Sequence, residues 1–534
     1  MTDSAGRHVP PVGVLGHFQL PDAELSATVL DLLHGDEVAG LAAQSPRGSR
    51  IVLLDTFDRR LQRKGLTLEA VAEHRSGAFL LSLRSRTKLI ARTRAPGPMP
   101  KFLADLPIEP LRGALEPVIE MRALLPRLEL VRYRDLIGRH RQSVDETLGL
   151  YRDRYILADD GARSQEVCRR LTFETPDHPT KALRRLIEHV AALQSGVATD
   201  DATLDVWGEV LVRFHGLDGM ASDEVVPIDP GLRADLALKR FLAPLAQAMR
   251  RNEPGLIERI DTEFLHDFRV AVRRSRSALG QLRGTFPPRV IGRFTRDLAW
   301  LGQITGPPRD LDVYLLEFDR QSMYVPESLR DDLAPLRSLL EQAAADAHRG
   351  LVRQLAQRRY RSFMADWAAF LDKPCPEHPT APDAMTPIEQ VLTSRIVRLH
   401  RRIGKRDTWR APDAEPEALH ALRKTCKKLR YLLEFAQRVS PAAPLQRPIK
   451  TLKALQSHLG AFQDAEVQST QLLDWSASLY AGRKPSDRTF VAIGALIAHL
   501  DRVQRRQRAQ VPAAVKAFAR KEQRQELEHL LSAC

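Results

Sequence analysis

The chain has 534 residues, 43% hydrophobic and 28% charged, with 81 Lys+Arg against 67 Asp+Glu and a net charge of +14. That length predicts at least two domains with real cores, and the composition excludes wholesale disorder. Four scattered cysteines without a CxxC exclude a disulfide framework or structural zinc site, and no apolar run reaches the ~18 residues a membrane span needs.

The charge is uneven. Residues 1–228 carry −2 and residues 229–534 carry +16, so the basic excess belongs to the C-terminal part and predicts a polyanionic partner there. Along the chain, DAELSATVLDLL (22–33) reads as a helix. RIVLLDTF, AFLLSLR, LELVRY and RDRYILA then read as strands bounded by Gly, Pro and charge, and TKALRRLIEHVAAL (180–193) as a further helix. We expect a β-rich domain over 1–198, an acidic linker over 199–230, and an all-helical domain of about eight helices over 231–534. KLIARTRAPGPMPK (88–101) and the basic tail 502–524 read as solvated surface.

The helical part repeats itself. LHDFRVAVRRSRSAL (265–279) aligns with LHALRKTCKKLRYLL (419–433) at an offset of 154, and the same offset aligns DLAWLGQITGPPRDLDV (297–313) with TLKALQSHLGAFQDAEV (451–467). Across 265–313 twelve of 49 positions are identical. Two copies of a four-helix unit follow, about 231–372 and 385–530, related by a pseudo-twofold. At ~100° per residue, His266, Arg269, Arg273 and Arg276 share an arc of roughly 80°, beside a core arc of Leu265, Phe268, Val272, Leu279 and Leu282. The second copy sets His420, Arg423, Lys427 and Arg430 on the same stripe, beside Leu422, Cys426, Leu429 and Leu433. Arg274 and Lys428 flank the stripes; Arg293 and Arg296, or Arg447 and Lys450, follow on the next helix. Like charges at i,i+3 and i,i+4 each cost about 0.2–0.5 kcal/mol, so such stripes predict an anionic ligand in a groove or pore between the copies. Arg would supply bidentate contacts, Lys a point charge, and protonated His two donors.

These residues resemble the CHAD (conserved histidine α-helical) domain family, marked by H-x-x-R-x-x-x-[RK]-[RK]-x-R in each of two four-helix repeats. Each repeat continues with L-x-x-L-x-x-x-x-G-x-x-[RQ]-D-x-[DE]-V; here His266–Arg276 and His420–Arg430 are followed by RDLDV (309–313) and QDAEV (463–467). The resemblance implies binding of inorganic polyphosphate. His266, Arg269, Arg273, Arg274, Arg276, Arg293, Arg296, His420, Arg423, Lys427, Lys428, Arg430, Arg447 and Lys450 would be its contacts. The cysteine pattern and the lack of a long apolar run predict a cytoplasmic protein, and the resemblance adds recruitment to polyphosphate granules. Asp310, Asp312, Asp464 and Glu466 could hold Mg²⁺, but capping a helix or pairing with nearby Arg is the simpler expectation.

VLLDTFDRRLQRKGLTLEA (52–70) resembles the CYTH (triphosphate-tunnel) pattern Y-x-D-T-x-x-x-x-L-x-x-x-G-x-x-L-R-x-R. The expected fold is therefore α+β, a β-rich CYTH-like domain ahead of the all-α repeats. That family's E-x-E-x-K would fall at Gly13, Leu15 and His17, where no carboxylate stands; Glu69 replaces the first Arg of L-R-x-R, and RRLTFETP (169–176) lacks an E-x-E pair. Phosphoryl transfer needs a cation, so the domain reads as a degenerate, inactive scaffold without metal, cofactor or catalytic residues. No Walker A, Rossmann, kinase or nucleophile-elbow pattern is present. Two alternatives remain: a metal-dependent tri- or polyphosphate phosphohydrolase, and an RNA binder. The second is disfavoured because neither stripe carries an aromatic for base stacking.

Overall fold

A computed structural model describes residues 12–19, 48–73, 77–85, 89–106, 108–141, 147–157, 166–176, 227–405, 407–409, 411, 414–440, 445–482 and 485–520. The expected helices at 22–33 and 180–193, most of the 199–230 linker, and Cys534 lie outside these residues. The chain divides into two compact units, 1–223 and 224–534.

Among the described residues the first unit is built on eight antiparallel strands: β1 (Val12–Gln19), β2 (Ser49–Asp55), β3 (Leu66–Ala72), β4 (Phe79–Ser85), β5 (Leu89–Ala95), β6 (Leu125–Arg141), β7 (Thr147–Leu157) and β8 (Glu166–Pro176). Their order is β1-β8-β7-β6-β2-β3-β4-β5. Strand periodicity puts Val52, Leu54, Leu68, Ala70, Leu81, Leu83 and Ala91 on one face, packed against Leu111 and against Leu115 and Ile119 of α2 (Gly113–Ile119). The 88–101 segment is thus no solvated stretch: β5 buries Ala91 and Ala95. Its basic residues misled the reading because only alternate side chains face the core.

Asp55 and Thr56, the D-T of the CYTH-like segment, hold the turn into α1 (Arg60–Arg63). The Asp55 carboxylate accepts from the backbone N–H of Thr56 (2.7 Å), Leu61 (3.0 Å) and Gln62 (3.1 Å), and Thr56 Oγ1 accepts from Arg60 N–H at 2.9 Å. That is a structural use of both residues. Gly13, Leu15 and His17 fall on β1 and RRLTFETP on β8; their side chains are outside the described residues.

The second unit is helical: α3 (Ala234–Ile257), α4 (Thr262–Gln281), α5 (Pro288–Ile304), α6 (Gly306–Ser322), α7 (Ala334–Leu355), α8 (Arg358–Asp372), α9 (Ile388–Lys405), α10 (Pro416–Val439), α11 (Gln446–Gly482) and α12 (Asp487–Phe518). Ten α-helices among the described residues replace the expected eight. Both extra helices fall in 231–372, where one break comes at Thr305 and another at Ala356–Gln357. Pro307 and Pro308 explain the first, since neither can donate to the preceding turn and each ring crowds the carbonyl four residues back. The matching positions Ala461 and Phe462 lie inside α11, which runs 37 residues unbroken. No proline causes the second break. There α8 turns back across its neighbours: Tyr360 donates to Glu253 of α3 at 2.7 Å, and Trp367 packs edge-on against Phe294 of α5 with centroids 4.8 Å apart.

The basic 502–524 segment is likewise more than solvated surface as far as Arg520. α12 buries Val511, Val515 and Phe518, and Arg508 donates to the Ala414 carbonyl at 2.8 Å. No helix among the described residues is long and apolar enough to cross a membrane.

Candidate functional site: a basic cluster where α4 meets α10

Helix α4 starts at Asp261, whose side chain accepts from the N–H of Glu263 (2.9 Å) and Phe264 (3.2 Å). Helix α10 starts with Pro416 in its first turn, where the missing N–H is harmless. Each buries the expected arc: Leu265, Phe268, Val272, Leu279 and Leu282 in one region, Leu422, Cys426, Leu429 and Leu433 in the other. The two helices pack together, so the stripes converge. His266, Arg269, Arg273, His420, Arg423, Lys427 and Arg430 are partly buried, whereas Arg276, Arg293, Arg296, Lys428, Arg447 and Lys450 are exposed.

Convergence changes the electrostatics. Desolvation, followed by the charges of Arg423 and Arg273, pushes the Lys427 ammonium down to about 8, against the pull of Asp464. Desolvation also lowers Arg269, with Asp310 opposing and Arg273, Arg309 and Arg276 reinforcing. His266 is lowered by desolvation and then by Arg309. Burial beside a guanidinium thus disfavours the imidazolium, the form that would offer two donors. His420 is oriented differently: its Nδ1 meets Gln463 Oε1 at 2.6 Å, and Gln463 Nε2 donates to Glu466 Oε2 at 3.0 Å.

Carboxylates arrive from neighbouring elements. Arg423 pairs with Asp464 of α11 at 3.1 Å. Arg274 of α4 (3.0 Å) and Arg430 of α10 (3.2 Å) share Glu434. Arg309 donates to the Thr262 carbonyl at 3.2 Å and lies 3.7 Å from Glu263. Asp312 faces Arg259 at 3.8 Å. Desolvation holds the Asp310 carboxyl above its usual range; Arg269 works against this, and Asp464, at the matching position 154 residues on, adds to it. Asp310, Asp312, Asp464 and Glu466 sit within α6 and α11 and cap neither helix. Among the described residues no cluster of three or more His, Cys, Asp or Glu is placed to hold a metal ion.

Not every candidate joins the cluster. Arg293 pairs with Asp366 of α8 and lies over the Phe294 ring at 5.6 Å, so it turns toward α8. Arg269 turns inward, donating from Nη1 to Thr305 Oγ1 (3.0 Å) and the Gly302 carbonyl (3.3 Å) at the α5–α6 break. Arg273, Arg276, Lys427 and Lys428 have no ion-pair partner within 4 Å among the described residues.

Sequence reasoning missed Glu434, Gln456 and Tyr431. Comparing the copies could not find them, since the matching positions are Gly280, Gly302 and Ser277. Tyr431 also corrects the expectation that no aromatic accompanies the stripes: Arg430 and Arg273 lie over its ring at 5.3 and 6.0 Å. At 8% exposure, however, it offers no stacking platform for a base.

A protein-family model described as "CHAD domain" matches residues 240–473, which contain the whole cluster. Among solved structures, the chain is similar to the CHAD domain from the plant Ricinus communis. That likeness has 25% identity and TM-score 0.45, covering 55% of this chain and 94% of the other. PptA from Streptomyces chartreusis matches with 17% identity and TM-score 0.40, covering 53% and 99%. No curated protein matches the chain. With the family match spanning both basic helices, residues 240–473 are a CHAD domain.

Proposed function

We propose that the helical unit binds inorganic polyphosphate non-enzymatically at the α4–α10 cluster, and that this recruits the protein to polyphosphate granules. One observation carries the reading. Partial burial first, and then the charges of Arg423, Arg273 and Arg430 crowded round it, lower the affinity of Lys427 for its proton, against the pull of Asp464. A site that concentrates positive charge at such cost is organised for a polyanion. In the same reading 231–372 and 385–530 are pseudo-twofold copies. The starts of α3 and α9, α4 and α10, and α7 and α12 support this, differing by 154, 154 and 153 residues. The sheet of the first unit is a degenerate CYTH-like scaffold.

Titration with long-chain polyphosphate over a salt series tests the reading. If about six phosphates are neutralised, log K falls with log[salt] at a slope near −4, roughly 10²–10³ in affinity between 50 and 200 mM. The Arg269→Ala/Arg273→Ala/Arg423→Ala/Lys427→Ala variant, folded by circular dichroism, loses that binding. RNA at equal phosphate concentration competes poorly, and magnesium elicits no orthophosphate release. Absence of wild-type binding at low salt overturns the reading; magnesium-dependent turnover would favour the phosphohydrolase.

A further inference from the structure

The α4–α10 cluster holds more hydrogen-bond donors than acceptors at its inner edge. Tyr431 lies one residue beyond Arg430, with guanidiniums of two different helices over its ring. Its hydroxyl is buried and finds no hydrogen-bond partner among the described residues, and the same holds for Nε of Arg273. On α11, Gln456 Oε1 accepts from Arg430 Nη1 at 3.3 Å, which leaves the buried Gln456 Nε2 without an acceptor. The nearby carboxylate, Glu434, pairs with Arg274 and Arg430, and although its buried Oε2 makes no hydrogen bond, it is one acceptor against several unmet donors.

Each buried, unmade hydrogen bond costs about 1–3 kcal/mol, and native proteins keep few of them. The phenol, the Arg273 guanidinium over its ring and the amide N–H of Gln456, which is bonded to Arg430, lack the same thing, an acceptor with several lone pairs. A phosphoryl group supplies that, together with the negative charge that two guanidiniums favour. The ring explains how residues of α4 and α10 meet one ligand group. It gives both guanidiniums an apolar face to rest against, and they can swing off it toward an oxyanion.

We propose that Tyr431 is an inner contact of the site, its hydroxyl donating to an oxygen of a phosphoryl group held by Arg273 and Arg430. The inference rests on the polyphosphate reading and deepens it. Because the matching position in the first segment is Ser277, this anchor occurs once, so one phosphoryl unit of the polymer is held differently from the rest.

The test uses the full chain and Tyr431→Phe, which removes one oxygen and no packing atom. Titration with long-chain polyphosphate at several salt concentrations should show about tenfold weaker binding at every salt, the effect of one hydrogen bond to a charged group. The log–log slope should stay unchanged, because no charge was removed. The unfolding midpoint of the ligand-free variant should equal or exceed that of the wild type, because an unpartnered buried hydroxyl has gone. Wild-type binding matched within twofold by Tyr431→Phe overturns this contact alone, and means that water serves the hydroxyl. A changed slope overturns it too, since the loss would then come from displaced arginines. No wild-type binding removes both this contact and the reading beneath it.

Discussion

The two basic stripes are nearly the same in sequence and different in use. Arg269 and Arg423 hold matching positions, yet Arg269 donates to the α5–α6 break and Arg423 pairs with the α11 carboxylate Asp464. His266 has Arg309 beside it where His420 has Gln463. Both differences trace to one neighbourhood. TGPP interrupts the first segment and LGAF continues the second, and a break leaves polar groups that a long cation can reach. A repeated motif thus states which residues are present twice. What each contacts depends on the element packed over it.

The strongest way to break the comparison is to damage one segment alone. A Cβ on Gly255 of α3 would sit 2.3 Å from the Phe264 ring of α4, and the position matching Gly255 is Trp409. Gly255→Ala should destabilise the helical unit by about 1–3 kcal/mol or more, through overpacking. Thermal unfolding should show this as a clear drop in midpoint.

Lys427 sharpens it next. With its ammonium at about 8, the charge is largely present at pH 7 and largely absent at pH 9. Polyphosphate affinity should therefore fall several-fold over that interval. Lys427→Arg should flatten the profile, and binding at pH 8 should take up protons, as calorimetry in buffers of differing ionisation enthalpy would show. The sign for the free protein is opposite. The folded lysine titrates below the unfolded one, so between pH 8 and about 10.4 the unfolded chain binds more protons and this site's contribution to stability rises with pH. A pH-independent affinity would disprove the assignment.

The smallest effect separates Arg269 from Arg423. Arg269→Ala removes a partly buried donor from the helix break and should cost about 1 kcal/mol of stability. Arg423→Ala releases a pair whose carboxylate is 63% exposed, and should leave the midpoint nearly unchanged. Chemical denaturation of both variants would measure the difference.

Periodicity and repetition alone made several features legible. The core arcs of α4 and α10 followed from 3.6-residue spacing, and β2, β4, β6 and β7 from short apolar runs bounded by Gly, Pro and charge. The concentration of positive charge in the helical half, on two matching stripes, followed from composition and the 154-residue offset. Those properties are local, since each depends on the angle between successive side chains. What the sequence by itself left open was every contact between elements: the turn of Arg293 to Asp366, the burial of His266 beside Arg309, the sharing of Glu434, and Tyr431 beneath two guanidiniums. The second break in the first segment, at Ala356–Gln357, was equally closed to local rules, because α12 runs unbroken through the matching Gln510–Val511 and the Pro512 that follows. Helix packing decides these points. A side chain's charge, partner and exposure are set by atoms far along the chain, which only the folded structure brings within a few ångströms.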